Sequence, residues 1–131
     1  MSDFPKAKSK KDWQKKLTKW EYHILIEKGT EPPFSGKYNH YQLPGAYSCK
    51  GCGQSLFDSH HKFHSGCGWP SFDQPIKNSV AYRKDTSLKM NRIEILCKQC
   101  GIHLGHVFDD GPTHTKKRYC VNSTSLIHNE S

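Results

Sequence analysis

The chain has 131 residues, 34% of them hydrophobic, with six cysteines, nine histidines and a net charge of +8. That is the size of one ordinary domain, long enough to bury a core without disulfides to hold it. No run approaches the roughly 18 apolar residues of a membrane span, and the opening MSDFPKAKSKKDWQKK lacks the apolar stretch of a secretion signal, so a cytoplasmic chain with reduced thiols is expected.

The charge is uneven. Residues 1–20 carry seven Lys against two Asp, so +5 of the +8 lies in a short leader. A basic arm can meet nucleic acid or a membrane surface, but a solvated helix face that keeps the chain soluble has the same composition. Ser9 with Asp12, and Thr18 with Glu21, fit the spacing in which a hydroxyl and a carboxylate satisfy the free N–H groups of a helix start. They predict helices over 10–17 and 19–28, the second stopped by Gly29. Trp13, Leu17, Trp20 and Ile24 recur at helical spacing and read as a core-facing stripe. The leader and first helix, 1–20, are read apart from a single domain over 21–131.

After Gly29 the texture changes. GTEPPFSGKY is a loop, and beyond it Gly, Pro, Asn and Asp punctuate short β-prone runs. Strands are expected within AYSCKGCGQSLF, SVAYRK, NRIEILC, IHLGHVF and RYCVNSTSLI. Short strands, many turns and no strand–helix alternation predict a mainly antiparallel β domain.

Cys49-Lys-Gly-Cys52 and Cys97-Lys-Gln-Cys100 are each followed by glycine, Gly53 and Gly101. This is the knuckle pattern, in which a tight turn aims two thiolates at one metal. Two knuckles complete a tetrahedral set with no open position, which makes the site structural. Zinc is the expected ion. Iron fits the same four thiolates, and a pair of redox disulfides is the non-metal alternative. With four thiolates available, His60, His61 and His64 are read as surface residues.

Cys67 and Cys120 fall outside this scheme. On a strand, Arg118, Cys120 and Asn122 project to one face, and a guanidinium beside a thiol favours the thiolate. A buried thiol acting as a small apolar group is the plainer reading of Cys120. Cys67 lies between Gly66 and Gly68 in SGCGWPSF, on a loop free to carry a thiol toward a second sulfur. Trp69, Pro70 and Phe72 crowd that loop as packing or as a pocket wall. In GIHLGHVFDDGP, a bulge at Gly105 would bring His103 and His106 to one side, where an imidazole can move a proton near a reactive thiol.

Taken in order, GTEPPFSG, the first C-x-x-C, SGCGWPSF, RIEI, the second C-x-x-C, HLGHVF-x-DGP and RYCVNS-x-SL resemble the motifs of the B-class methionine-R-sulfoxide reductases, from about Glu21 to His128. The resemblance implies two antiparallel sheets with N-terminal helices and a structural zinc on Cys49, Cys52, Cys97 and Cys100. It implies Cys120 as nucleophile, Cys67 as resolving cysteine and Trp69 as the wall of a methyl pocket. His103, His106 and Asn122 would surround the sulfoxide oxygen, with Arg118 beside the nucleophile and Phe108 and Asp110 near the pocket. The reaction implied is reduction of the R epimer of methionine sulfoxide, protein-bound or peptide, through a Cys120 sulfenic acid resolved by Cys67 and recycled by thioredoxin, in a monomer. Two positions depart from the family pattern: Asp109 replaces a proline, and His64 stands where an acidic residue is usual. The rival reading is a zinc-ribbon-like nucleic-acid-binding module that uses the basic leader. It explains the knuckles and the charge, but not Cys67, Cys120, Trp69 or the histidines.

Overall fold

The structure, a computed structural model, describes residues 4–130. Residues 1–3 of the basic leader lie outside the described residues. Two short helices open the chain, α1 (Lys10–Lys16) and α2 (Lys19–Leu25). Ser9 Oγ accepts from Asp12 N, and at Thr18 both halves of the capping box form with Glu21. The helices end earlier than the sequence predicts. Lys28 takes a left-handed φ of 62°, and Gly29 N bonds back to His23 O, which turns the chain away before residue 28.

The expected apolar stripe holds at three of its four positions. Trp13, Leu17 and Ile24 are buried, but Trp20 is 49% exposed. The chain breaks between two separate helices at Leu17 and Thr18, so one periodicity cannot run through both. Trp20 instead lies on the surface, its indole N–H donating to Thr124 Oγ1.

Among the described residues nine strands follow: β1 (Gly45–Cys49), β2 (Ser55–Asp58), β3 (Lys62–Phe63), β4 (Ser71–Phe72), β5 (Val80–Asp85), β6 (Arg92–Cys97), β7 (His103–Phe108), β8 (Arg118–Val121) and β9 (Leu126–Glu130). They form two antiparallel sheets, ordered β2-β1-β9 and β3-β4-β8-β7-β6-β5. The fold is therefore mainly antiparallel β, as the strand pattern predicts, in the two sheets that the resemblance implies. RYCVNSTSLI, read as one strand, is two: β8 and β9 are separated by a 3-10 turn at Ser123–Ser125 and join different sheets.

Aromatic rings fasten the sheets face to face. Phe57 of β2 stacks on Phe72 of β4 at 4.3 Å, and Tyr47 of β1 meets Phe72 edge-on at 5.2 Å. All three are fully buried. Each buried ring of this size contributes roughly 2–3 kcal/mol of apolar transfer, so this contact is a principal tie between the layers.

The leader is not a detached arm. Lys6 N donates to Gln99 O, Phe4 packs against Gly101, Trp13 abuts Gly51, and the Lys16 ammonium donates to Gly51 O. It lies across both cysteine knuckles.

Candidate active site and metal centre

The knuckles come from different sheets. Cys49 and Cys52 flank the β1–β2 turn, and Cys97 and Cys100 flank the β6–β7 turn. Gly53 and Gly101 take φ of 85° and 79°, the left-handed conformation that closes each turn, and their N–H groups bond to Cys49 O and Cys97 O. The four sulfurs lie within 4.8 Å of one another, with Cys49–Cys100 and Cys52–Cys97 both at 3.6 Å. A tetrahedral ion with metal–sulfur bonds of about 2.3 Å holds its sulfurs about 3.8 Å apart, so four thiolates here fit one metal. Gly51 N also donates to Cys49 Sγ, as a thiolate ligand requires. Such close sulfurs share protons unevenly. Hydrogen bonds from Cys100 and Cys49 hold Cys97 down at about 2, while hydrogen bonds with Cys100 and Cys97, reinforced by burial, drive Cys49 far up. A dication would remove that conflict by deprotonating all four. His60 and His61 pair with Asp58 and Asp73 and stand apart from the cluster.

The second feature is a row of residues across the large sheet. Glu94, His106, Cys120 and Ser71 are successive cross-strand partners on β6, β7, β8 and β4. Partners in an antiparallel ladder project to the same face. Phe108 pairs with Arg118 two positions along, on the same face, and the guanidinium lies 4.5 Å from the centre of the ring. His103 should face away from His106, three positions on, if β7 were regular. It does not, because Ile95 pairs with Gly105 while Leu96 pairs with His103, leaving Leu104 as an extra residue. This bulge brings the two imidazoles to 5.5 Å on one side, as the Gly105 segment suggested. Gly105 itself admits no side chain, since a Cβ there would collide with Cys120 O.

Both histidines are held by carboxylates that the sequence analysis did not single out. His103 Nδ1 lies 2.7 Å from Glu94 Oε2, with both side chains almost wholly buried. His106 Nε2 lies 2.7 Å from Asp85 Oδ2, and Arg92 approaches the same oxygen at 3.5 Å. A carboxylate only accepts, so a proton belongs on His103 Nδ1 and on His106 Nε2. Burial pushes the Glu94 carboxyl up, but His103 and Lys28 outweigh it and hold the group below the usual carboxylate range. Hydrogen bonds from Ser87, then from His106, hold Asp85 well below that range. Burial, with the charge of Arg92, lowers His106 despite the opposing pull of Asp85.

Cys67 Sγ is 3.8 Å from Cys120 Sγ. Gly66 and Gly68, at φ of 76° and 100°, carry Cys67 over the end of β8. Ser65 donates to Cys67 Sγ at 2.9 Å, and Ser71 Oγ lies 3.4 Å away. These contacts divide the charge differently from the sequence expectation. The hydrogen bond from Cys120, helped by Ser65 and Ser71, brings Cys67 down to about 4. Cys120 is raised by sharing with Cys67 and by burial, against a smaller lowering by Arg118. Arg118 is itself gripped by Asp110 through two bonds, at 2.8 and 3.1 Å.

A cleft of about 210 Å³ opens over this row, lined by both thiols, Trp69, His103, His106, Phe108, Arg118, Asn122 and also Arg92. Trp69 is braced by its indole N–H donating to Glu31 O, and Asn122 Oδ1 accepts from Glu31 N. Asp110 lines a neighbouring cleft with His64 and Cys67, and reaches the thiols through Arg118. Asp109 forms an exposed ion pair with Lys117.

Comparison with known proteins fits this geometry. The model of the SelR domain matches residues 17–130. The chain belongs to the SelR-domain family. A peptide methionine sulfoxide reductase MsrB of Methanosarcina barkeri is 55% identical over 120 residues, covering 91% of this chain and 84% of that protein. The mitochondrial methionine-R-sulfoxide reductase B3 of Mus musculus is 50% identical over 119 residues, 90% of this chain and 47% of that protein. Among solved structures, the Mis18 'Yippee-like' domain superposes with a TM-score of 0.52 at 19% identity, covering 68% of this chain and 98% of that one, a likeness of fold alone. The SelR match begins at residue 17, so most of the leader that covers the knuckles lies outside the family domain. Among the described residues no helix is long and apolar enough to cross a membrane.

Proposed function

We propose that this SelR-family chain is a peptide-methionine (R)-S-oxide reductase, as its relatives' names indicate for them. The observation that carries the chemistry is the pair Cys67–Cys120 at 3.8 Å inside a cleft with one aromatic wall and one polar wall.

Cys120, which shares a proton with Cys67 across 3.8 Å and whose thiolate Arg118 favours, attacks the sulfoxide sulfur as the thiolate. The oxygen is transferred to Cys120, so methionine leaves reduced by two electrons and Cys120 becomes a sulfenic acid. His103 and His106 place or relay protons at the departing oxygen, and Asn122 orients it. Trp69 and Phe108 hold the S-methyl group by dispersion and sulfur–aromatic contact. Methyl on the aromatic wall, oxygen on the polar wall and sulfur over Cys120 are three fixed contacts, enough to select one epimer. Cys67 then attacks the sulfenic sulfur, water leaves and a disulfide forms. An external dithiol of thioredoxin type returns both sulfurs to thiols.

The four-thiolate centre takes zinc in this reading, with no open position for substrate, and ties the two sheets together. Metal analysis of the purified protein separates zinc from iron. The nucleic-acid reading is disfavoured because the leader's Trp13 is 3% exposed, its Lys16 is turned inward to Gly51 O and its Trp20 indole N–H is taken by Thr124, and because it leaves the thiol pair in the cleft unexplained.

An NADPH–thioredoxin assay on resolved sulfoxide epimers tests the proposal. Consumption with the R epimer alone is expected, with none in Cys120→Ser. Equal turnover of the S epimer, or an active Cys120→Ser, would sink it.

A further inference from the structure

Glu94 is 1% exposed, and a carboxylate so deep in the protein stays ionised only beside positive charge or strong donors. Two groups reach it from opposite sides. His103 Nδ1 lies 2.7 Å from Oε2, and the Lys28 ammonium lies 3.4 Å from Oε1. Lys28 comes from outside the β-sheet, in the turn after α2, and its side chain remains half exposed. Its backbone is left-handed, at φ 62°, where glycine or asparagine sits without strain. A lysine is the costlier residue there, and the ammonium is what it adds.

We propose that Lys28 is a positioning residue for the cleft: it closes a Lys28–Glu94–His103 chain that holds the buried carboxylate as an anion and His103 as the neutral Nδ1–H tautomer. If His103 were the only partner of Glu94, a proton on the ring would be the cheapest way to balance the buried charge. With Lys28 supplying that balance, the ring keeps a lone pair on Nε2 beside the thiols. The other groups around His103 act in the same sense or do not oppose it. From β6, Arg92 lines the cleft as a second cation. From β7, His106 stands at 5.5 Å with its own carboxylate, Asp85 of β5. From β8, Cys120 and Asn122 face the same cleft. On the far side of His103, Lys8, Lys10 and Arg83 line a second cleft together with Lys28. No carboxylate other than Glu94 lies within hydrogen-bond reach of His103 among the described residues.

The inference rests on the reductase reading only for its effect on rate, and its structural half is tested without turnover. Nitrogen-15 spectra of histidine-labelled protein at pH 7 should show His103 as the Nδ1–H tautomer. In Lys28→Met and in Lys28→Gln both ring nitrogens should carry protons, and Lys28→Arg should restore the wild-type pattern. The single-turnover rate at pH 6 should fall roughly tenfold in the two uncharged variants, within the range of general acid–base effects, and recover toward high pH. A wild-type His103 with its proton on Nε2 or on both nitrogens overturns the proposal. So does an uncharged variant that keeps the Nδ1–H pattern and the wild-type pH profile while losing only thermal stability. A shifted spectrum in a protein that reduces no sulfoxide would overturn the reductase reading and leave the Lys28 chain standing.

Discussion

Glu31 and Ser123, ninety-two positions apart, are joined by a 2.9 Å hydrogen bond from the Ser123 N–H to the Glu31 carboxylate. The same carboxylate accepts from Thr124 N and Thr124 Oγ1, while Glu31's own N–H holds Asn122 and its carbonyl holds the Trp69 indole. One buried residue of the GTEPPFSG loop thus fixes the turn after β8 and both walls of the cleft. Glu31→Ala strands three donors and should cost on the order of 3 kcal/mol in urea unfolding. Glu31→Gln, which keeps an acceptor, should cost less. A loss below about 0.5 kcal/mol in the alanine variant would show that the turn does not depend on this carboxylate.

The uneven charge on the thiol pair predicts which cysteine reacts first. With Cys67 brought down to about 4 by Cys120, Ser65 and Ser71, iodoacetamide at pH 6 should modify Cys67 ahead of Cys120. Peptide mapping by mass spectrometry reads the order. Ser65→Ala should slow alkylation at Cys67, and first modification at Cys120 would reverse the assignment.

Glu94 predicts a stability change with pH. Its folded carboxyl is held below the usual range, so its contribution is present above the unfolded value near 4.3 and is lost as pH falls through the lower folded value. Urea midpoints should fall from about pH 5 downward in the wild type. Glu94→Gln should be less stable at pH 7 and show a shallower acid decline. Parallel curves for the two proteins would remove Glu94 from the acid response.

Loss of any one thiolate should disable the metal centre. Cys97→Ser is expected to lower bound metal from one equivalent toward zero and to reduce the melting temperature, read by metal analysis and calorimetry. Because Trp13 and Phe4 pack against Gly51 and Gly101, Trp13→Ala should speed metal transfer to a chromophoric chelator with the four cysteines intact. An unchanged transfer rate would mean that the leader does not shield the knuckles.

Patterns that are local in the chain were the legible ones. The C-x-x-C-Gly pairs, the Thr18–Glu21 cap and the alternation that puts Arg118 beside Cys120 each span a few residues, and the structure has all three. The bulge in β7 was suggested by Gly105, where a Cβ would collide with Cys120 O. Glu31 lies in the GTEPPFSG motif and Arg92 and Glu94 in RIEI, but neither motif assigned them a role, and Asp85 and Lys28 lay in no motif at all. Their partners lie on other elements, as with Lys28 and Glu94, so no periodicity marks them as anything but surface charges. Trp20 misled for the opposite reason: its spacing matched the stripe, but a helix break intervened. The charge on the thiols depends on a 3.8 Å approach between residues 53 positions apart, which only the fold creates.

Each cysteine knuckle is half a binding site, and its two halves belong to hairpins in different sheets. A single hairpin offers an ion two sulfurs. A four-coordinate grip on an ion can arise only after both sheets have formed and met across Phe57 and Phe72. Any metal affinity of these four cysteines is therefore a readout of correct tertiary assembly. A misfolded or half-translated copy would hold its ion weakly and surrender it to any competing chelator, so retention of the ion sorts finished molecules from unfinished ones.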